Sequence, residues 1–208
     1  MKLLKYQLGD LSVNCYVLVD EATGIAVAID VGGDAGFLLL EELKHGYKIN
    51  AVLLTHCHFD HIGGVYKFYE RGADIYMSAL DEKGILDGDY NLSSVFGYNV
   101  KPFKLKTALL GGETLKFGEI EVEVVATPGH TEGGLTYKVQ DMLFCGDTLF
   151  SGSFGRVDFP SGDIKVLCES AKKLFEYKGC TLYSGHGDKT TVEIEEKSNP
   201  IKYYYAKD

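Results

Sequence analysis

The chain has 208 residues, 45% of them apolar, which is enough to enclose one sizeable core. A net charge of −9 spread along the sequence leaves no basic stripe to track a nucleic-acid backbone, and no apolar run approaches the length of a membrane span. The five cysteines are odd in number and lack a CxxC pair, and Lys5 and Asp10 interrupt the first apolar stretch, so a cytoplasmic protein with reduced thiols and one domain over 1–208 is expected.

In chain order, β-rich runs bounded by Gly, Asp, Asn or Pro fall at 15–19, 25–29, 51–54, 120–125, 135–139, 142–145 and 181–183. Helical spacing of apolar residues appears at 35–44, at a segment starting near His61 and ending at Arg71-Gly72, and at 164–177 after the cap-like Ser161-Gly162-Asp163. Strands and helices alternate along the chain, which favours an α/β architecture. Residues 87–104 form a long irregular stretch rich in Tyr, Gly, Asn and Ser. It suits a loop over a substrate, where Tyr90, Phe96 and Tyr98 either line a pocket or simply pack the surface.

The polar residues that close these strands carry the chemistry. Positions 56 to 61 hold three imidazoles and a carboxylate, His56, His58, Asp60 and His61, in a chain with only six histidines. Crowding of this kind suits borderline cations such as zinc, manganese and iron, and gives a core or a surface nothing. Three other strand-like runs end at His130, at Asp147 and at His186, and strand-end loops are where α/β scaffolds build sites. His45, before Gly46, reads as a helix-terminal residue. Alternation in an extended segment lets His56 and His58 face one metal while Cys57 points away. Asp60 and His61, being adjacent, invite a second ion. Asp30 reads first as a turn former and second as a group that orients a ligand.

The strings THCHFDH, TPGHTEGG, FCGDTLF and SGHG, in this order from residue 55 to 187, resemble the metallo-β-lactamase superfamily. That resemblance implies a four-layer αβ/βα sandwich with the metal site along one edge of its two sheets. It implies that His56, His58 and His130 hold one metal, that Asp60, His61 and His186 hold another, and that Asp147 and a solvent-derived hydroxide bridge them. Zinc is the first expectation for both ions, with iron or manganese as alternates. GDTLFSGSFGRVDF and the ending SGHGDKTTVEIEEKSNP resemble glyoxalase II-like thioesterases, the ending a short subgroup of them. The substrate implied is a small-molecule acyl-thioester. The chain departs from that pattern at Asp158, where the family has an aromatic residue, and in the short stretch after His186, where longer glyoxalase II enzymes carry a helical region that holds glutathione. Arg156 therefore either binds a substrate carboxylate or pairs with Asp158.

Two divalent ions outweigh Asp60, Asp147 and a hydroxide, so such a site is locally cationic inside an acidic protein. Asp60 gains a catalytic task there, orienting the nucleophile as an acceptor. A thiolate leaves without a strong acid, since its ordinary pKa is only ~8.5. Two alternatives stand beside this reading: a mononuclear-iron persulfide dioxygenase using His56, His130 and Asp147, and a two-metal phosphodiesterase or nuclease, which would want a basic exosite.

Overall fold

A computed structural model describes residues 1–33 and 35–205. Two six-stranded sheets face each other. The first has strands in chain order: β1 (Lys2–Leu8), β2 (Val13–Val19), β3 (Ile25–Ile29), β4 (Lys48–Leu53), β5 (Asp74–Ser78) and β6 (Thr107–Leu109). β1, β2 and β3 pair antiparallel, and β3 to β6 run parallel. The second sheet contains β7 (Thr114–Phe117), β8 (Ile120–Ala126), β9 (Leu135–Val139), β10 (Met142–Gly146), β13 (Thr181–Ser184) and β14 (Thr190–Thr191), in the order β14-β13-β10-β9-β8-β7. A small hairpin of β11 (Leu149–Phe150) and β12 (Ser153–Phe154) stands apart from both.

Between the sheets lies a core of inward residues that includes Tyr16, Leu18, Ile29, Leu53, Val122, Val124, Tyr137 and Phe144. The outer face of the first sheet is covered by α1 (Gly36–His45), α2 (Phe59–Ile62) and α3 (Val65–Glu70), through Leu38, Ile62, Val65 and Phe68. The outer face of the second is covered by α5 (Ile164–Phe175) and α6 (Val192–Ser198), through Leu167, Ala171, Leu174 and Val192. The result is the expected αβ/βα order of four layers. α5 starts where the sequence indicates, because the Asp163 side chain accepts the backbone N–H groups of Lys165 and Val166 at 2.7 and 3.1 Å.

One helix was expected from His61 to Gly72, and two short ones occur instead, broken at Gly63-Gly64. Both glycines lie under the chain that follows β3. A Cβ on Gly64 would stand 2.9 Å from the Ala35 Cβ and 3.0 Å from the Gly32 carbonyl oxygen, so only glycine allows this approach. The helix also begins two residues earlier than expected, which puts Asp60 and His61 in its first turn. The stretch 87–104 is less irregular than expected, since Ser93–Phe96 forms the short helix α4. Among the described residues no helix is long and apolar enough to cross a membrane.

Candidate metal centre

The sheets end together at one edge, and this brings the loops into contact. Ile29 of β3 is in register with Leu53 of β4, so Asp30 lies beside the start of the Thr55–His61 segment. In the second sheet the β10/β13 register shifts between Phe144 and Gly146, which sets Asp147 beside Gly185. Backbone hydrogen bonds from Leu135 to the Thr55 carbonyl and from Asn14 to the Gly185 carbonyl, 2.8 and 2.7 Å, lock the two edges together.

All seven residues singled out as ligands meet here. Three sets have ligand atoms within 4.8 Å of one another: His56, His58 and His130; His56, His61 and Asp147; and Asp60, His61 and His186. The rings of the first set are nearly perpendicular in pairs, with centroids 4.7 to 4.8 Å apart, so they face a common point. Asp147 reaches both neighbouring sets, with Oδ1 3.4 Å from His61 Nε2 and Oδ2 3.7 Å from the Nε2 atoms of His130 and His186. Asp60 Oδ2 lies 3.2 Å from His186 Nε2 and 3.6 Å from His61 Nε2. Cys57 is buried away from the cluster, as its alternation requires, and its backbone N–H donates to Asp81.

The tautomers are set from outside. His61 Nδ1 donates to Asp30 Oδ2 at 2.9 Å, His130 Nδ1 to the Arg156 carbonyl at 2.6 Å and His186 Nδ1 to the Leu11 carbonyl at 3.2 Å. The Thr55 hydroxyl gives its proton to Asp30 at 2.8 Å, which leaves its oxygen to accept from His56 Nδ1 at 3.1 Å. These four rings therefore turn an Nε2 lone pair inward, the arrangement that ligating histidines need. His58 differs: its Nδ1 faces His130 Nε2 at 2.9 Å.

The fit to a cation can be tested on the atoms left over. Among the described residues, His56 Nε2, His58 Nε2, His61 Nε2 and Asp147 Oδ1 are buried without a hydrogen-bond partner. Each such orphan costs about 1–3 kcal/mol in a folded protein. Three of the four point into the cluster, and a cation there satisfies them together.

Electrostatics agrees. Burial drives His56 well below the ordinary histidine range, reinforced by the neighbouring imidazoles, and burial with His130 brings His58 to about 3, so both stay neutral. Burial pulls His61 and His186 the same way, but Asp60 and Asp147 outweigh it and raise both. Burial would raise the Asp147 carboxyl, yet His61, His130 and His186 hold it well below the carboxylate range, and His61 and His186 hold Asp60 down likewise. The negative charge that draws protons to His61 and His186 draws a cation equally, so metal and proton compete there.

Asp30 needs correction from the turn-forming role that its sequence context favoured. It does adopt a turn conformation, φ 54°, but it is 2% exposed and accepts Thr55 N–H at 2.8 Å as well as the Thr55 hydroxyl and His61. Replacing Asp30 with Asn keeps the shape and removes the charge facing His61. Metal affinity, read by competition with a chromogenic chelator, is expected to fall about 10- to 100-fold, the usual effect of losing such a partner.

Two further residues carry the site, and sequence reasoning missed both. Asp81 is buried at the end of β5 and accepts from the Cys57 N–H, the Thr131 hydroxyl and the Gly133 N–H, tying the His56–His61 segment to the His130 loop. Asn14 donates through Nδ2 to the carbonyls of Ser184 and Gly187, 2.9 Å each, and so grips the loop bearing His186. Of the candidate substrate residues, Tyr98 is 41% exposed beside Asp60, whereas Tyr90 is 8% exposed with its hydroxyl engaged by Ser161 and Glu132 at 2.9 and 3.0 Å. Arg156 pairs with Asp158 at both ends, Nε to Oδ1 at 2.9 Å and Nη2 to Oδ2 at 2.6 Å.

A four-layer αβ/βα sandwich with a His/Asp cluster at the shared edge of its sheets defines the class of a metallo-hydrolase. The chain belongs to the metallo-beta-lactamase superfamily, whose family profile matches residues 8–186. It is 32% identical to the probable metallo-hydrolase YqgX of Bacillus subtilis, covering 97% of each chain. It is 34% identical to hydroxyacylglutathione hydrolase GloC of Haemophilus influenzae, covering 90% of this chain and 92% of that one. Among solved structures it is similar to the BLEG-1 B3 metallo-beta-lactamase, with TM-score 0.91, 32% identity and coverage of 99% and 100%. It is also similar to TTHA1623 in a di-iron-bound form, with TM-score 0.85, 32% identity and coverage of 95% and 98%.

Proposed function

We propose that this chain is a glyoxalase II-like thioesterase, cleaving a small acyl-thioester at a two-cation centre, with residues 1–208 acting as one hydrolase unit. The observation that carries the reading is the cluster itself, seven side chains in three overlapping sets around one space. The likeness to GloC over nine-tenths of the chain gives it the thioester direction. The five unpaired, buried thiols fit a reducing, cytoplasmic setting.

In this reading His56, His58 and His130 would hold one cation and Asp60, His61 and His186 the other, with Asp147 within reach of both sets. Zinc suits the nitrogen-rich set, while the di-iron form of TTHA1623 keeps iron beside it. A divalent pair held there would supply a more acidic water, with a pKa towards ~7, and polarisation of a carbonyl oxygen. The chain's own work is to place the reactants. His56 and His61 are buried at the back, whereas Asp60 and His186 stand at the mouth, with side chains 13% and 30% exposed. The Asp60 carboxylate therefore sits where it can accept a proton from the attacking water. Tyr98, on the same side, is placed against the substrate. No protein acid is needed for a thiolate leaving group.

A mononuclear-iron centre built on His56, His130 and Asp147 would leave Asp60, His61 and His186 without a task, although their ligand atoms share one metal-sized space. The test is a panel on the purified, metal-analysed protein: S-D-lactoylglutathione, a chromogenic β-lactam, and oxygen uptake with a persulfide. Thioester hydrolysis alone supports the reading; persulfide-dependent oxygen uptake without it rejects the reading.

The Arg156–Asp158 pair adds a finer expectation. Asp158 occupies the guanidinium where a substrate carboxylate would bind, and both side chains are exposed, so the pair is weak and exchangeable. Replacing Asp158 with Asn is expected to lower KM for S-D-lactoylglutathione roughly two- to five-fold with kcat unchanged. An unmoved KM in steady-state kinetics would remove Arg156 from substrate binding.

A further inference from the structure

A cleft of about 570 Å³ opens beside Asp60, and Arg156 is not among the residues that line it. Its position is fixed by shared residues. Asp60 lines it, Phe59 precedes Asp60 on α2, and Leu11 both lines the cleft and accepts the His186 Nδ1 hydrogen bond through its carbonyl. One wall is aromatic: the Tyr98 ring stacks on Phe59 with centroids 4.6 Å apart at 23°, and Phe59 stacks in turn on Phe96 at 5.2 Å and 29°. The Tyr98 hydroxyl donates to the Asp10 carboxylate, which holds the ring in place between two loops. Leu11 and Val100 extend the apolar lining. Among the described residues, the charged ones in the lining are Asp10 and Asp60, and none is cationic.

Arg156 lies elsewhere. Its guanidinium covers Phe159 at 4.3 Å, and that ring meets His58 at 5.8 Å, so this side flanks the three-histidine set. A thioester bound with its carbonyl at the centre sends its two arms in opposite directions. The Arg156 side suits a polar thiol arm, and the aromatic cleft suits the acyl arm. We propose that the cleft beside Asp60 receives the acyl arm of the substrate, and that this arm is uncharged and carries an aryl or alkyl group, not a carboxylate. The assignment rests on the thioesterase reading above and goes beyond it in naming the acyl class. An acyl carboxylate would meet Asp10 without a cationic side chain among the described lining residues to offset it.

The test uses the metal-loaded enzyme and three thioesters of one neutral thiol, N-acetylcysteamine, with acetyl, phenylacetyl and succinyl groups. The phenylacetyl ester is expected to exceed the acetyl ester in kcat/KM by about ten-fold or more, the scale of discrimination in an apolar pocket, with the succinyl ester below both. In the Tyr98→Ala variant the phenylacetyl-to-acetyl ratio falls towards one, and in Asp10→Asn the succinyl penalty shrinks. The second readout is binding of the phenylacetyl ketone analogue, sulfur replaced by methylene, measured by calorimetry on the wild-type and Tyr98→Ala proteins. About ten-fold weaker binding to the variant supports the assignment; equal binding overturns it. Hydrolysis of all three esters at the same kcat/KM also overturns it while leaving the thioesterase reading intact. Hydrolysis of none removes the thioesterase reading, and the ketone then decides the cleft alone.

Discussion

Replacing Asp60 with Ala is expected to lower kcat for thioester hydrolysis by about a hundred- to ten-thousand-fold, the range contributed by a positioned proton acceptor, while the chain stays folded. Asp60 stands at the mouth of the centre, with 13% of its side chain exposed, so truncation opens a gap to water in place of a sealed cavity. The two imidazoles it approaches keep their outer partners, His61 through Asp30 and His186 through the Leu11 carbonyl. The variant should therefore unfold in the same cooperative transition, followed by circular dichroism, and differ in turnover. Asp60→Asn separates its two proposed tasks, because the amide keeps an oxygen for a cation but accepts no proton. If Asp60→Asn works within ten-fold of the parent rate, the proton-accepting role is wrong.

Gly185→Ala is expected to be nearly as damaging by a different route. A Cβ at 185 would stand 2.2 Å from Asp147 Oδ1 and 2.6 Å from His61 Cε1, inside the cluster itself. Relief by moving the backbone is blocked, because the Gly185 N–H donates to the Gly146 carbonyl at 2.8 Å and its carbonyl accepts from Asn14 at 2.7 Å. The two ligand side chains must give way by about an ångström, a displacement that typically costs about a hundred-fold in rate. The protein is expected to bind less than its full complement of metal and to lose about that factor in kcat. Full metal content with an unchanged rate would mean that Asp147 and His61 do not share the space assigned to them.

Three of the strands that carry the cluster were legible because they are largely buried on both faces. β3, β10 and the inner part of β4 are nearly continuous apolar runs, and each stops at a polar residue that proves to face the site: Asp30, Asp147, and the pair Thr55-His56. The less visible strands are those with a wet face. β1, with Lys2, Lys5 and Gln7 alternating against Leu8, and β7 lie at sheet edges, where one row of side chains meets solvent and the apolar signal is halved. Missing β5 had a cost for the site: Asp81 follows that strand as Asp30 follows β3, and the same strand-end logic would have reached it. Asn14 was hidden for another reason. It sits within β2 and acts on a loop 170 residues later, a contact that only the tertiary fold brings about. The break at Gly63-Gly64 likewise depends on Ala35 and Gly32 packing against it.

Calorimetric titration of the metal-free protein with zinc tests the two-cation centre most directly. The arrangement of His56, His58, His61, His130, His186, Asp60 and Asp147 predicts saturation at two equivalents per chain, with an affinity that weakens as the pH falls and protons compete for the imidazoles. Saturation at a single equivalent, or no binding, would contradict it.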